Sequence, residues 1–375
     1  MRLIKTITAE FDDSPYSILI GRNIISNVVT YLEERTNNKK VIIVTDSFFK
    51  DTLAAKVSTL LAESNYEVFM YSMDAGKGNK NINEVMKIYG ILEENNLARD
   101  STLIAIGGGV IGDLSGFIAS TWLRGMNLVH IPTTLMGMVD SSVGGKVAIN
   151  FRQTINAIGN YYHPILNLMD LDLVDTLPER EYKSGIAEVI KCSIINDAEL
   201  FKFLMKECNA ILDRSEEQVV HFISRALEIK IDHVQGDTRE GGKRLLLNYG
   251  HTLGHSIEIS TEKNYQEQYR HGEGVSIGIM AAAYIAEKYL DTPGELYDSY
   301  KKLFHAYGLP TEVNTSELGF ERHKLLSKCI RNVNKDKKRL NNNLRIILAD
   351  KIGHASVYND VPFSIVEDAF SFIIK

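Results

Sequence analysis

Three histidines and one glutamate are the side chains here best equipped to do chemistry. Gly250-His251-Thr252-Leu253-Gly254-His255 sets two imidazoles four residues apart, which places them on one face of a helix. His271-Gly272-Glu273 opens the next helical stretch, and Glu188 lies on a helix with Lys191 one turn later. A histidine pair alone is common in cores and on surfaces. Two histidines with one carboxylate and an open coordination position make the donor set of a catalytic zinc. His251, Glu188 and His271 can supply it, which leaves His255 to give or take a proton.

A second signal is Gly107-Gly108-Gly109-Val110-Ile111-Gly112-Asp113, directly after an apolar run at 102–106. Glycines let backbone N–H groups approach a phosphate, and a helix starting there aims its positive end at the anion. The plainer reading is a turn needed for strand-to-helix packing. The spacing is not G-x-G-x-x-G, which argues against an ordinary Rossmann dehydrogenase. Basic residues flank these motifs: Arg124, Lys146, Lys191, Lys230, Arg244 and the run Lys335-Asp336-Lys337-Lys338. Most Lys and Arg are solvated, but Arg124 and Lys146 sit in segments too apolar and glycine-rich for ordinary surface. A small anionic substrate is the chemistry they suit.

These groups need a scaffold. The chain has 375 residues, enough for about two domains. Short β-branched runs at 41–44, 66–71, 102–106 and 128–131 alternate with helical patterns such as 81–94, which predicts a covered parallel sheet. From about residue 178 the period changes to 3.6, with helices expected over 180–209, 216–236, 244–262, 272–290 and 294–306. Residues 344–348 read as a late strand. The boundary falls near 170–178, giving an α/β nucleotide-binding domain over 1–177 and an all-α metal- and substrate-binding domain over 178–375. Lys plus Arg is 42 against 48 for Asp plus Glu, a net charge of −6, so nucleic acid is not the expected partner. Three cysteines form no disulfide framework and lack zinc-site spacing. The N-terminus has no signal-peptide pattern, and charged residues interrupt every apolar window. A cytoplasmic protein without a membrane partner is expected.

Several motifs in series resemble the 3-dehydroquinate synthase family. They are 107–113, Pro132-Thr133-Thr134, Asp140-Ser141-Ser142-Val143-Gly144-Gly145-Lys146, Ala187-Glu188-Val189-Ile190-Lys191, and the run from Arg244 through Asn248 and His251 to His255. The match continues more thinly through His271-Gly272-Glu273 to Asp336-Lys337-Lys338 and spans nearly the whole chain in order. The resemblance implies bound NAD, one divalent metal (zinc, with cobalt as the alternative) and a homodimer. The implied substrate is 3-deoxy-arabino-heptulosonate 7-phosphate, a sugar-acid phosphate. Its secondary alcohol is oxidised by NAD, phosphate is expelled, the hydride returns, and an aldol step closes the ring. NAD is regenerated. The product is 3-dehydroquinate, of the shikimate route to aromatic amino acids.

By the same resemblance, Glu188, His251 and His271 hold the metal, and His255 manages a proton with Lys191. Lys146, Asn156 and Lys337 face the phosphate, with Arg124 reaching in from the second subunit. Lys230, Arg244 and Asn248 hold the carboxylate. Asp46, Lys80, Gly108, Gly109, Asp113, Thr133, Thr134 and Asp140 bind NAD. The chain departs from the family pattern at three places. Ala75-Gly76-Lys77-Gly78-Asn79-Lys80 stands for Pro-Gly-Glu-x-x-Lys, so Lys77 replaces an acid suited to ribose hydroxyls. Ile155 stands before Asn156 where the family carries Lys. Residues 261–270 are a long connection that could shift His271. Sister sugar-phosphate cyclases, amino-dehydroquinate or valiolone-type, share the fold and metal triad. A glycerol-dehydrogenase-type enzyme and a non-catalytic family member are further alternatives. Lys146, Asn156 and Lys337 oppose the dehydrogenase, and the intact histidine set opposes the non-catalytic reading.

Overall fold

The computed structural model describes residues 1–11, 14–152, 154–263, 267–339 and 344–375, with only the backbone described over 336–339. The chain divides into two compact units, Met1–Pro178 with Val234–Arg239, and Glu179–His233 with Glu240–Lys375.

The first unit is built on a seven-stranded sheet. Its strands are β1 (Arg2–Ala9), β2 (Tyr16–Arg22), β3 (Lys40–Asp46), β4 (Glu67–Met73), β5 (Thr102–Gly107), β6 (Asn127–Pro132) and, later in the chain, β9 (Leu166–Asp170), in the order β1-β2-β9-β6-β5-β3-β4. Every pairing is parallel except β1 with β2. Alternate residues of each strand serve opposite faces. Ile43, Ile104 and Val129 pack with Val28 and Leu32 of α1 (Val28–Glu33) and Val57 and Leu61 of α2 (Ala55–Glu63). Ile42, Val44 and Leu103 pack with Val85, Ile88 and Leu92 of α3 (Ile82–Glu94) and Leu114 and Ile118 of α4 (Gly109–Thr121). Both faces are covered, which is why these strands read as apolar runs. The chain leaves β3 toward β4 but leaves β5 toward β6. The carboxyl ends of β3 and β5 therefore flank a topological switch point, the usual ligand crevice of such sheets. A hairpin of β7 (Lys146–Phe151) and β8 (Thr154–Tyr161) stands apart from the main sheet, and α5 (Leu171–Asp175) closes the unit.

The second unit is mostly helical: α6 (Glu179–Asn196), α7 (Ala198–Lys206), α8 (Cys208–Leu212), α9 (Glu216–Val234), α10 (His251–Thr261), α11 (His271–Leu290), α12 (Gly294–Ala306), α13 (Thr315–Leu318), α14 (Arg322–Arg339) and α15 (Phe363–Ile373). One antiparallel hairpin, β10 (Ile346–Lys351) with β11 (His354–Tyr358), corrects the all-α expectation. Helix α11 is buried and apolar around most of its circumference, as a central helix must be. It packs on α6 and α10 through glycines. A Cβ at Gly272 would stand 1.9 Å from the Ser184 carbonyl oxygen, and one at Gly278 would stand 2.1 Å from that of Gly250. No helix among the described residues is long and apolar enough to cross a membrane.

Candidate active site

In the second unit, α6 places Glu188 and Lys191 three residues apart on one face. Each side chain is 2% exposed, and the Lys191 ammonium donates to Glu188 Oε2. The other carboxylate oxygen, Oε1, is buried and has no hydrogen-bond partner. It lies 3.7 Å from His251 Nε2 and 3.6 Å from His271 Nε2. Packing explains the convergence: the first turn of α11 rests on Ser184, one turn before Glu188, and Gly272 N donates to Ser184 Oγ at 3.0 Å. Glu273 faces elsewhere. It accepts from Arg270 N at 2.7 Å, capping α11, and from Arg180 in a forked pair at 2.7 Å.

The far side of each imidazole settles which nitrogen carries the proton. His251 Nδ1 lies 3.2 Å from the Tyr249 carbonyl oxygen, and His271 Nδ1 lies 3.2 Å from Glu258 Oε1. Acceptors at both positions call for N–H at Nδ1. Both Nε2 lone pairs then turn toward Glu188 Oε1. Three electron-pair donors facing one point is an arrangement that a cation resolves. A metal about 2.0–2.2 Å from each of three atoms, with tetrahedral geometry, sets them about 3.3–3.6 Å apart, close to the two distances from Glu188 Oε1 to the histidine nitrogens. His255 lies at the open side: it is exposed, and its ligand atoms lie within 4.8 Å of those of His251 and His271. The long connection after α10 does not keep His271 from the cluster; residues 264–266 lie outside the described residues.

Lys230 on α9 is 6% exposed, and Arg244, in the 3-10 turn Lys243–Asn248 leading to α10, is 2% exposed. Cations buried this deeply are paired or hydrogen-bonded. Asn248 donates through Nδ2 to Glu240 Oε1 at 2.5 Å. The side chain of Lys337 lies outside the described residues, although its backbone continues α14.

In the first unit, Asp46 ends β3, and Gly108 precedes α4 after β5. They stand at the carboxyl ends of the two strands that flank the switch point. Burial pushes the Asp46 carboxyl up, against the pull of the Phe48 and Phe49 backbone N–H groups. Thr133 follows β6, bonds through its N–H to the Gly107 carbonyl at 3.0 Å, and keeps a buried Oγ1 without a partner. Thr134 Oγ1 accepts from Gly137 N at 2.9 Å, and Asp140 lies half-buried in the next turn. Gly109 opens α4 against Ser141; a Cβ there would meet its Oγ at 3.1 Å.

Lys80 joins two groups that the sequence reading kept separate. Its ammonium donates to Asp113 and, at 2.5 Å, to Asn156 Oδ1. The Asn156 amide must then turn its N–H₂ outward, where it can donate to an anion. Lys146 starts β7, exposed, after Gly144 and Gly145 at φ 95° and 71°. A side chain at 145 would be strained and would meet the His163 ring at 2.8 Å. Arg124 is exposed on a strained turn, with φ 48° at Leu123 and 66° at Arg124. Lys77 and Ile155 are both exposed.

Family models for the N-terminal and C-terminal parts of 3-dehydroquinate synthase match residues 70–184 and 185–339. The chain belongs to the 3-dehydroquinate synthase family. It is 38% identical to the 3-dehydroquinate synthase of Shewanella loihica over 98% of this chain and 99% of that one. With that of Desulforamulus reducens the identity is 36% over 95% and 96%. Among solved structures, a 2-deoxy-scyllo-inosose synthase complexed with carbaglucose-6-phosphate, NAD+ and Co2+ has the same fold, with TM-score 0.87, 24% identity and 98% and 99% coverage. The 2-epi-5-epi-valiolone synthase of Streptomyces hygroscopicus subsp. jinggangensis, with NAD+ and Zn2+ bound, gives TM-score 0.84 at 23% identity, covering 97% and 98%. These two likenesses carry the fold.

Sequence reasoning passed over Glu258. The signal was there: it stands seven residues after His251 and three after His255, on the same helical face.

Proposed function

We propose that the protein is a 3-dehydroquinate synthase, an NAD- and divalent-metal-dependent lyase that turns 3-deoxy-arabino-heptulosonate 7-phosphate into 3-dehydroquinate and phosphate. The observation that carries the reading is the buried Glu188 Oε1, partnerless in hydrogen bonding and faced by the Nε2 atoms of His251 and His271. Membership of the family supplies the substrate. Glu188, His251 and His271 would hold zinc or cobalt, which would supply Lewis-acid polarisation of a substrate oxygen, and bound NAD would supply reversible hydride transfer.

The chain's own groups do the rest. Glu188 holds Lys191 in place while offering its second oxygen to the metal. His255, on the exposed side, takes and returns the proton of the substrate hydroxyl. Lys146, Lys337 and the outward amide of Asn156 bind the phosphate, with Arg124 supplied by the second subunit of a homodimer. Lys230, Arg244 and Asn248 bind the carboxylate. Asp46, Lys80, Gly108, Gly109, Asp113, Thr133, Thr134 and Asp140 form the NAD site. We assign cofactor binding to residues 1–177 and metal and substrate binding to 178–375. The enzyme works in the cytoplasm, without nucleic acid or membrane partners.

The test is incubation with the heptulosonate phosphate, catalytic NAD and zinc. Stoichiometric phosphate release with the cyclised product, and no net NADH, is expected. No phosphate release from this substrate, with release from glucose 6-phosphate instead, would replace the reading with a sister cyclase.

A further inference from the structure

A second carboxylate stands behind the metal ligands. Glu258 lies on α10 one turn beyond His255 and two turns beyond His251, on the same face of the helix. Its Oε1 is 3.2 Å from His271 Nδ1, and its side chain is 13% exposed. Helix α11 makes room for it at Gly274. A Cβ on Gly274 would stand 2.5 Å from Glu258 Cγ, 2.6 Å from Oε1 and 2.9 Å from Cδ. What it would strike is the end of a flexible side chain, not backbone. Alanine at 274 is therefore accommodated by expelling the carboxylate from its place beside His271.

We infer that Glu258 is a positioning residue for the metal centre. It accepts the Nδ1–H of His271, fixes the tautomer whose lone pair is on Nε2, and aims that nitrogen at the point faced by Glu188 and His251. Gly274 is the residue that seats it. The inference rests on the metal reading above and extends it to a residue that touches no metal. A carboxylate behind a ligating imidazole holds the ring and raises its basicity, and losing one weakens metal binding about 10- to 100-fold.

The experiment measures zinc dissociation constants of the full chain by competition with a chromophoric chelator, with the Co2+ d–d absorption as a second readout. Glu258→Ala should bind zinc about 10- to 100-fold more weakly and alter the Co2+ spectrum. Glu258→Gln, whose amide oxygen still accepts the Nδ1–H, should stay within about threefold of the unaltered protein. Gly274→Ala should weaken binding as Glu258→Ala does, and the double variant should be no weaker than Glu258→Ala alone. Unaltered affinity in Glu258→Ala overturns the role of Glu258. Additive losses in the double variant overturn the seating role of Gly274. Absence of zinc and Co2+ binding by the unaltered protein would sink the metal reading itself, and this inference with it.

Discussion

The side chain of Lys80 is 7% exposed, and its ammonium sits between the Asp113 carboxylate and the Asn156 amide oxygen. Replacing Lys80 by an apolar side chain takes its positive charge away from the Asp113 carboxylate, and breaking such a pair when it is buried typically costs about 3–5 kcal/mol. Asp113 keeps a side-chain exposure of 19%, so part of that cost is relieved by water. Lys80→Met is expected to lower stability by about 2–4 kcal/mol, read as a drop in the urea midpoint. It should also weaken the phosphate site, because the Asn156 amide loses the donor that sets its orientation. An unchanged midpoint would show that the pair contributes no net stability. No local pattern announces this junction, since Lys80, Asp113 and Asn156 are far apart in the chain and meet only through the β7–β8 hairpin and α4. The histidines and Glu188 were legible because their types are rare together and two share a helix face. Glu258 and Glu273 look equally acidic on paper. Only packing separates the one that orients His271 from the one that caps α11 and takes Arg180.

The α10–α11 contact is what turns spacing into a site. Gly278 faces the Gly250 carbonyl oxygen, where a Cβ would stand at 2.1 Å, and the Gly254 nitrogen, at 2.6 Å. Both obstructions are backbone, so a methyl group there must push the helices apart. Gly278→Ala is expected to cost about 1–3 kcal/mol or more and to weaken zinc binding as well, because His251 and His271 ride on the two separated helices. Unfolding by urea together with zinc titration checks both, and wild-type values in each would refute the packing role. Gly274→Ala presses on a side chain instead, and should leave stability nearly intact. At this scale the buried strands β3, β5 and β6 were legible from composition, since burial on both faces forces apolar runs. Helix ends were less so. The expected helix 180–209 breaks at Asp197, whose side chain accepts from Glu199 N and Leu200 N, both at 3.0 Å, and starts α7 anew. The expected helix 244–262 breaks at Gly250, at φ 77°. Strand β8 is exposed along almost its whole length, so no alternation announced it. The partner of the late strand, β11, mixes polar and apolar residues in the same way.

For the molecule as a whole, the net charge of −6 conceals an acid sensitivity built into both units. His130 on β6 is fully buried in the first unit, and burial pulls its imidazole down to about 4. His233 on α9, at 0% exposure in the second, is also lowered, chiefly by burial and further by the charge of Lys243, with its Nδ1 2.8 Å from the Ile229 carbonyl oxygen. Each is held neutral in the folded chain and protonates at its ordinary value near 6.5 when unfolded. Below that value the unfolded state binds more protons, so stability falls as the pH is lowered. For His130 the window runs from about 6.5 down to about 4, and the loss sums to about 3 kcal/mol. Carboxylates titrate at the bottom of the same range, so the variant is needed to isolate the histidine. His130→Gln removes the titrating group and should flatten the profile: the stability difference between the unaltered protein and the variant should shift by about 3 kcal/mol between pH 7 and pH 4 in favour of the variant. Urea unfolding at a series of pH values measures this directly. A difference that stays constant across the window would mean that His130 takes up its proton in the folded chain as readily as in the unfolded one.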